Sequence, residues 1–361
     1  MSAARLRSLR VRRFRAPQPR GAVIAAGLTL ASLLSSCGDG STAGSDQGRA
    51  DAIEVRIPDG ATARGIAAAL DEAGLVRFPR AFTLYARLRG SAGSLKAGLY
   101  RFPPDASWAY MLGMLERGEV VTFPLTIPEG FNLREIAPRV AEMAGVSADS
   151  VLKLARDSGF VARLGVPGPT LEGYLFPDTY HFAERTPPER ILEAMTSHYR
   201  EFWGPVELAL RDSLGLSERE LVTLASIVEK EARVGSERPT IAGVYLNRLK
   251  IGMLLQADPT VQFALDSVRA RLLYRDIEQV AGNPYNTYTH AGLPPGPIAS
   301  PGEAALRATL EPADVPFLFF VARPDGSHEF TRTEREHINA KNRIRRERDA
   351  AERPDRIGNG T

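Results

Sequence analysis

The segment Ile127–Ala137, Ile-Pro-Glu-Gly-Phe-Asn-Leu-Arg-Glu-Ile-Ala, repeats a pattern found 70 positions earlier at Ile57–Ala67, Ile-Pro-Asp-Gly-Ala-Thr-Ala-Arg-Gly-Ile-Ala. Alternating apolar residues before each Pro-Asp/Glu-Gly turn predict a short strand. The apolar residues after each turn recur at helical spacing. The sequence therefore predicts two small β-α units, residues 51–122 and 123–165. The first unit continues with a return strand at 98–102 and a helix at 107–117.

The chain changes character near residue 166, after a run of Gly-Pro pairs. Apolar spacing predicts further elements, namely helices at 187–202, 217–233, 237–250, 303–310 and 331–350 and a strand at 316–321. Ser217 and Glu220 predict a capping box for the second of these helices. Residues 283–302 hold too much Gly and Pro for regular structure. The predicted fold class is α+β, in which small β-α units precede a larger mixed α/β domain at 166–350 and a tail at 351–361.

The N-terminal segment 1–36 carries seven arginines and no acidic residue, followed by an apolar run at 21–34. A basic region, an apolar run and small residues at a cut site are typical of a signal peptide. The alternative is an uncleaved membrane anchor helix. Residues 37–50 are small and polar and predict a flexible linker. Subtracting the seven arginines from the net charge of +3 leaves −4, so the basic pI does not indicate nucleic-acid binding.

Leu34-Ser35-Ser36-Cys37 resembles the lipobox of bacterial lipoproteins. That resemblance implies that Cys37 is the site of lipid attachment and that a lipid anchor replaces a transmembrane helix. Cys37 is the only cysteine, so an internal disulfide is excluded.

Known motifs leave carboxylate chemistry as the main possibility for catalysis. The five histidines form no His-Glu-x-x-His pattern, and there is no Gly-x-Ser-x-Gly elbow or phosphate-binding glycine loop. We therefore expect neither a metal nor another cofactor.

Glu172 stands out within Leu171-Glu172-Gly173-Tyr174-Leu175-Phe176-Pro177-Asp178-Thr179-Tyr180. Cleavage of a glycosidic bond needs an acid that stays protonated near neutral pH, and apolar neighbours favour the protonated form of a glutamate. Aromatic rings such as Tyr174 and Tyr180 could stack on sugars. Taken alone, however, a glutamate beside hydrophobic residues is more often a surface residue next to a core strand.

Four blocks in order resemble the endolytic murein transglycosylases of the YceG-like family. They are the Glu172 block, Leu224-Ala-Ser-Ile-Val-Glu-Lys-Glu231, Leu255-Gln-Ala-Asp-Pro-Thr-Val261, and Tyr285-Asn-Thr-Tyr288 with Gly292-Leu-Pro-Pro-Gly-Pro-Ile298. The resemblance spans roughly residues 50–345. The small units at 51–122 and 123–165 also resemble LysM-type folds, which bind glycan chains; the alternative is that they only form a scaffold.

The family resemblance implies that Glu172 alone acts as acid and then as base on the bond between N-acetylmuramic acid (MurNAc) and N-acetylglucosamine (GlcNAc). The product carries a 1,6-anhydro end, so the enzyme is a lyase. The resemblance also implies peptidoglycan strands as substrate and termination of nascent strands, with peptidoglycan synthases as candidate partners. The leader predicts that the catalytic domain lies outside the cytoplasm, on the periplasmic side of the membrane. Family members usually carry a transmembrane helix at the N-terminus, and the lipobox-like leader departs from that pattern.

Eight further residues in these blocks are candidate substrate-binding residues: Tyr174, Asp178, Tyr180, Glu231, Gln256, Asp258, Asn286 and Tyr288. Several have structural alternatives. Glu231 could be ion-paired, Asp258 could begin a helix, and Asn286 and Tyr288 could belong to a rigid loop. Glu229 is expected on a different side of the helix from Glu231, either solvated or lining the site. A non-catalytic peptidoglycan-binding lipoprotein and a muramidase-type hydrolase remain alternative functions.

Overall fold

The computed structural model describes residues 52–265, 269 and 272–351. The predicted leader and linker, with Cys37, lie outside these residues, as do residues 352–361 of the predicted tail. Within the described ranges, no helix has the length and hydropathy needed to span a membrane.

The first small unit is a strand pair with helices between and after its strands. Its elements are β1 (Ile53–Ile57), α1 (Ala63–Glu72), α2 (Pro79–Leu88), β2 (Gly98–Phe102) and α3 (Trp108–Arg117). The two strands are antiparallel, with Val55 opposite Tyr100. The unit has its own apolar core, in which Leu70 and Phe82 are fully buried. The predicted strand, turn and helix at the start of this unit are confirmed.

The second copy of the repeat follows the same plan with one additional helix. Its elements are β3 (Thr122–Thr126), α4 (Leu133–Ala144), α5 (Ala148–Ala155), α6 (Ser158–Leu164), β4 (Thr179–Ala183) and α7 (Pro188–Glu201). Leu125 lies opposite Tyr180 in an antiparallel pair, the counterpart of Val55 and Tyr100.

A shared hydrogen bond confirms the correspondence between the two copies. The hydroxyl of Tyr100 donates to the carbonyl of Lys96 at 2.8 Å, and that of Tyr180 donates to the carbonyl of Phe176 at 2.6 Å. The return strand of the second copy therefore lies beyond residue 165. Glu172 occupies the connection that leads into this strand.

The remaining elements are mostly helical. They are α8 (Pro205–Leu214), α9 (Glu218–Glu231), α10 (Arg238–Lys250), α11 (Asp258–Ala264), α12 (Tyr274–Gln279), α13 (Glu303–Leu310), β5 (Phe319–Ala322), β6 (His328–Thr331) and α14 (Glu334–Ala351). The α9 helix has the predicted capping box between Ser217 and Glu220. Residues 283–302 contain no helix or strand, as their composition predicts. The predicted strand at 316–321 begins only at Phe319.

The α9 helix connects two apolar cores that lie outside the first small unit. Its Leu221 belongs to a core that also contains Leu125, Leu171 and Leu306. Its Ile227 belongs to another, with Tyr245, Leu255 and Ile298 among its members. The predicted boundary at 165/166 therefore does not separate two cores. Short sheets and many helices confirm the α+β class, while the likeness to LysM-type folds stays a prediction.

Candidate active site

The carboxylate of Glu172 lies at the N-terminus of α4. The backbone N–H of Leu133, the first residue of that helix, donates to both carboxylate oxygens, at 3.1 and 3.3 Å. The helix begins with a capping box between Asn132 and Glu135. A helix N-terminus presents free N–H groups and a partial positive charge, so it can hold a carboxylate in a fixed orientation.

The backbone around Glu172 is fixed by close packing. The N–H of Leu171 donates to the carbonyl of Ala155 at 2.9 Å. Gly173 has a φ of +84°, and a Cβ at this position would lie 2.3 Å from the Cβ of Pro297. Only glycine combines this backbone conformation with such a close approach. The glycine thus lets the loop that contains Pro297 pack directly against the Glu172 segment.

The environment of Glu172 favours the protonated form of its carboxyl near neutral pH. Burial raises the pKa of its carboxyl to about 8, against the lowering effects of the Leu133 N–H and of Arg134 and Arg156. Desolvation of the charged form outweighs these favourable interactions. The group can therefore donate a proton first, and its conjugate base is then stabilised by the Leu133 N–H.

A cavity of about 620 Å³ opens beside this helix N-terminus. Asn132, Arg134 and Glu135, which flank the amide bound to Glu172, line it. A second cavity, of about 770 Å³, shares four lining residues with the first: Glu231, Asp258, Ala322 and His328. We call the two adjoining cavities the groove.

Four of the predicted substrate-binding residues come together where the cavities meet. Glu231 accepts a hydrogen bond from the Tyr245 hydroxyl at 3.0 Å, and Asp258 accepts one from the Tyr288 hydroxyl at 2.5 Å. The exposed Gln256 lines the second cavity together with them and has a φ of +49°, rare for a residue other than glycine. Burial, with the charge of Asp258, raises the pKa of Glu231 to about 7.

The alternative interpretation of Asp258, that it begins a helix, is also confirmed in part. The α11 helix begins at this residue, with Pro259 in its first turn. The N-cap is Ala257, however, so the Asp258 side chain does not cap the helix and is instead held by Tyr288.

Two predicted site residues are buried away from the groove, and we correct the expectation for them. Tyr174 is fully buried, with its ring 5.3 Å from that of Tyr199. Asn286 is also fully buried, and its side-chain amide donates to the carbonyls of Ile277 and Val280. Their side chains stabilise the core and the loop, so we leave both out of the site.

Asp178 and Tyr180 lie together around another residue, His198. A carboxylate oxygen of Asp178 is 3.3 Å from Nδ1 of His198, and the Tyr180 hydroxyl is 3.4 Å from the same atom. Neither residue lines the two cavities.

Glu229 and Lys230, at the end of α9, both form contacts that hold neighbouring segments in place. Glu229 is only 7% exposed; it pairs with Arg238 at 3.1 Å and accepts from the N–H of Gly302. Lys230 donates to the carbonyl of Gly130, in the Pro-Glu-Gly turn before α4. Glu229 is therefore ion-paired and not solvated, and it lines neither cavity. The Lys230 hydrogen bond joins α9 to the turn that precedes the helix N-terminus holding Glu172.

Sequence reasoning missed Arg134 and Glu135 as groove residues. Arg134 donates to the carbonyl of Phe263 at 2.7 Å and so connects α4 to α11. A difference between the two repeat copies could have identified Glu135, because it occupies the position that Gly65 has in the first copy. In the described part of the chain, no group of three or more His, Cys, Asp or Glu residues is arranged to hold a metal ion.

Comparisons with known proteins agree on one family. The model of the YceG-like family matches residues 55–343. A Bacillus subtilis protein named endolytic murein transglycosylase is 33% identical over 305 residues, which cover 80% of this chain and 84% of the relative. A Streptococcus pneumoniae protein of the same name is 31% identical, and the match covers 80% of this chain but 59% of that longer relative.

The fold is also similar to a solved structure. A 2.6 Å crystal structure of a YceG-like protein from Listeria monocytogenes matches with a TM-score of 0.56 and 31% identity. The match covers 80% of this chain and 99% of the Listeria chain. The chain therefore belongs to the YceG-like family.

Proposed function

We propose that this protein is an endolytic lytic transglycosylase, a lyase that cuts the MurNAc–GlcNAc bond within peptidoglycan strands. The observation that carries the proposal is the setting of Glu172, a half-buried glutamate with a pKa of about 8. It is held by the N-terminus of α4, whose residues Asn132 and Arg134 line the groove. The names of the Bacillus and Streptococcus relatives support the same activity.

The reaction needs only one residue that exchanges a proton with the substrate. The Glu172 carboxyl donates its proton to the glycosidic oxygen as the bond from that oxygen to C1 of MurNAc breaks. The resulting carboxylate, stabilised by the Leu133 N–H, takes the proton of the C6 hydroxyl. The C6 oxygen closes onto C1, so the product has a 1,6-anhydro end and Glu172 is protonated again.

The groove offers groups suited to a sugar chain. Carboxyl, amide and hydroxyl groups of Glu231, Gln256, Asp258 and Tyr288 meet at the junction of the cavities, where they can bind sugar hydroxyls or the acetamido group. Arg134 and Lys230 line the part of the groove near Glu172 and can bind the carboxylates of the substrate.

A muramidase-type hydrolase is the second candidate, because a hydrolase of this kind uses two carboxyl groups. Glu231 and Asp258 line the groove and could in principle activate water. We favour the lyase, since the Glu172 site by itself supplies both the acid and the base.

The cellular setting follows from the sequence. We propose that the chain is held at the outer face of the cytoplasmic membrane by a lipid on Cys37, with its catalytic part on the periplasmic side. In that position it would terminate nascent glycan strands beside peptidoglycan synthases.

Replacing the proposed catalytic residue tests the activity directly. Glu172→Gln should lower the rate of strand cleavage by about 10²–10⁴-fold, since it removes the proton that is transferred. Binding to purified peptidoglycan should stay unchanged. Glu142→Gln, on the exposed side of the α4 helix whose N-terminus holds Glu172, is the matched control and should cleave like the wild type. Undiminished cleavage by Glu172→Gln would exclude this residue as the catalytic acid.

A further inference from the structure

The outer face of α2, in the first small unit, is both apolar and basic. Phe78, Leu84 and Leu88 are 61%, 57% and 79% exposed. Ala81 is exposed between them, and at helical spacing Leu84 and Leu88 share one side of α2 with it. The inner side of the same helix holds the buried Phe82 and Ala86, so the exposed residues are not needed for the core. We call Phe78, Ala81, Leu84 and Leu88 with the arginines around them the α2 face.

Within the described ranges, the arginines of the α2 face have no acidic partners. Residues 73–104 contain six cationic residues and no aspartate or glutamate. Four of the six belong to this face: Arg77, Arg80, Arg87 and Arg89. Among the described residues, none of these four forms an ion pair, whereas Arg56 and Arg101 of the same unit pair with Glu184 and Glu54. The α2 face is therefore a concentrated positive surface with exposed apolar side chains.

Aromatic residues border this face. Tyr85 is half-buried on α2 and lies 5.9 Å, between ring centroids, from the half-buried Trp108 of α3. Tyrosine and tryptophan suit a boundary between water and hydrocarbon, because each combines an apolar ring with a polar group.

We infer that the α2 face docks on the surface of an anionic lipid bilayer. Basic residues around exposed leucine and phenylalanine are the combination by which helices bind at the headgroup level, where arginines contact phosphates and apolar side chains enter the acyl boundary. This inference rests on the proposed membrane attachment through Cys37.

The length of chain before the first unit is consistent with docking. Fifteen residues, Gly38 to Ala52, separate Cys37 from β1, and even fully extended they reach only roughly 50–55 Å. A lipid at Cys37 would hold the first unit close to the bilayer, so a weak surface interaction would act at high effective concentration. Docking would orient the first unit at the membrane, where new glycan strands emerge.

A native tryptophan can report the docking. The chain has two tryptophans, so Trp203→Phe leaves Trp108 as the only one. The full chain with this change is mixed with phosphatidylglycerol or phosphatidylcholine vesicles that carry brominated acyl chains, which quench nearby tryptophan fluorescence. We expect strong quenching with phosphatidylglycerol and little with phosphatidylcholine. Far-UV circular dichroism with a thermal melt confirms that each variant is folded.

Charge and apolar variants then test the face itself. Arg80→Glu and Arg87→Glu should each lower the phosphatidylglycerol-dependent quenching of Trp108 by about fivefold or more. Leu84→Glu with Leu88→Glu should reduce quenching to the phosphatidylcholine level. Ile251→Glu, at a residue 62% exposed on a different part of the chain, is the matched control and should leave quenching unchanged.

The outcomes separate docking from anchoring. Flotation with phosphatidylcholine vesicles reports the lipid anchor, and quenching that depends on phosphatidylglycerol and on Leu84 and Leu88 reports the α2 face. Quenching that is equal for both lipids, or unchanged in the variants, would overturn docking even if the protein floats. Loss of binding to purified peptidoglycan in the same variants, with vesicle quenching intact, would assign the face to glycan instead.

Discussion

Glu172 is held between two opposing electrostatic effects. Burial penalises its charged form, while the Leu133 N–H and nearby arginines favour that form. Desolvation has the larger effect, so the Glu172 carboxyl is protonated near neutral pH. Its charged form can still be reached during the reaction. A residue that must act first as acid and then as base needs both states within reach.

The pH dependence of the reaction should reflect this pKa. Because the protonated form starts the reaction, kcat/KM should fall as the pH rises through about 8. Cleavage rates of soluble glycan from about pH 4 to 10 measure the effect. A rate that already falls above pH 5, as for an ordinary glutamate, would contradict the assigned state of Glu172.

The same shift predicts a stability difference. The pKa of Glu172 is about 8 in the folded chain and about 4.5 when exposed, so the folded state binds its proton more tightly. This contribution is complete below pH 4.5 and is lost as the pH rises to 8. The free energy of unfolding of the wild type should thus fall relative to that of Glu172→Gln over this range. Urea unfolding of both at pH 5 and pH 8.5 checks the sign, and an unchanged difference would contradict it.

The sequence could indicate Glu172 but not its partners. Apolar neighbours explained how the pKa could rise, and the four blocks pointed to this glutamate. The Leu133 amide is 39 positions away, and no local pattern reveals a backbone N–H as a ligand. For Tyr174 the sequence predicted a substrate contact that the structure does not place in the groove. A tyrosine next to Glu172 in the sequence can also pack inward, and Tyr174 is fully buried.

At the scale of elements, the loop at 283–302 and the Glu172 segment form one packed unit. Gly173→Ala adds a methyl group that would overlap Pro297, in addition to the strain of a positive φ. We expect a loss of about 2–4 kcal/mol in the free energy of unfolding and a lower cleavage rate.

A second glycine provides a matched control for this prediction. Gly292 has the same φ of +84°, but a Cβ there meets no atom of the described residues within 4 Å. Gly292→Ala should therefore cost only the backbone strain, about 1–2 kcal/mol, and keep its activity. Thermal or urea unfolding compares the two, and equal losses would show that the contact with Pro297 is unimportant.

The repeat shows how far local patterns extend. Strand, turn and helix of both copies follow from adjacent residues and could be predicted. The pairing of β3 with β4 could not, because α4, α5 and α6 separate the strands and their register depends on contacts distant in sequence. For the same reason, the sequence did not show that Glu229 reaches Arg238 and Gly302.

At the scale of the whole molecule, residues 1–50 should be dispensable for chemistry. In the part of the chain that the structure describes, the groove and the three apolar cores are built from residues 53 onwards. We expect the chain beginning at Asp51 to stay in the supernatant after ultracentrifugation and to cleave free glycan. The same truncation with Glu172→Gln is the inactive control. A truncated protein that is folded but inactive would show that the N-terminal segment contributes to catalysis.

The mass of the cleaved ends tests the central claim most directly. Glycan strands digested with the wild type and analysed by mass spectrometry should carry 1,6-anhydro-MurNAc ends, which are lighter than reducing ends by one water molecule. Glu172→Gln should yield neither kind of new end. Products that carry only reducing ends would contradict the lyase mechanism and identify the protein as a hydrolase.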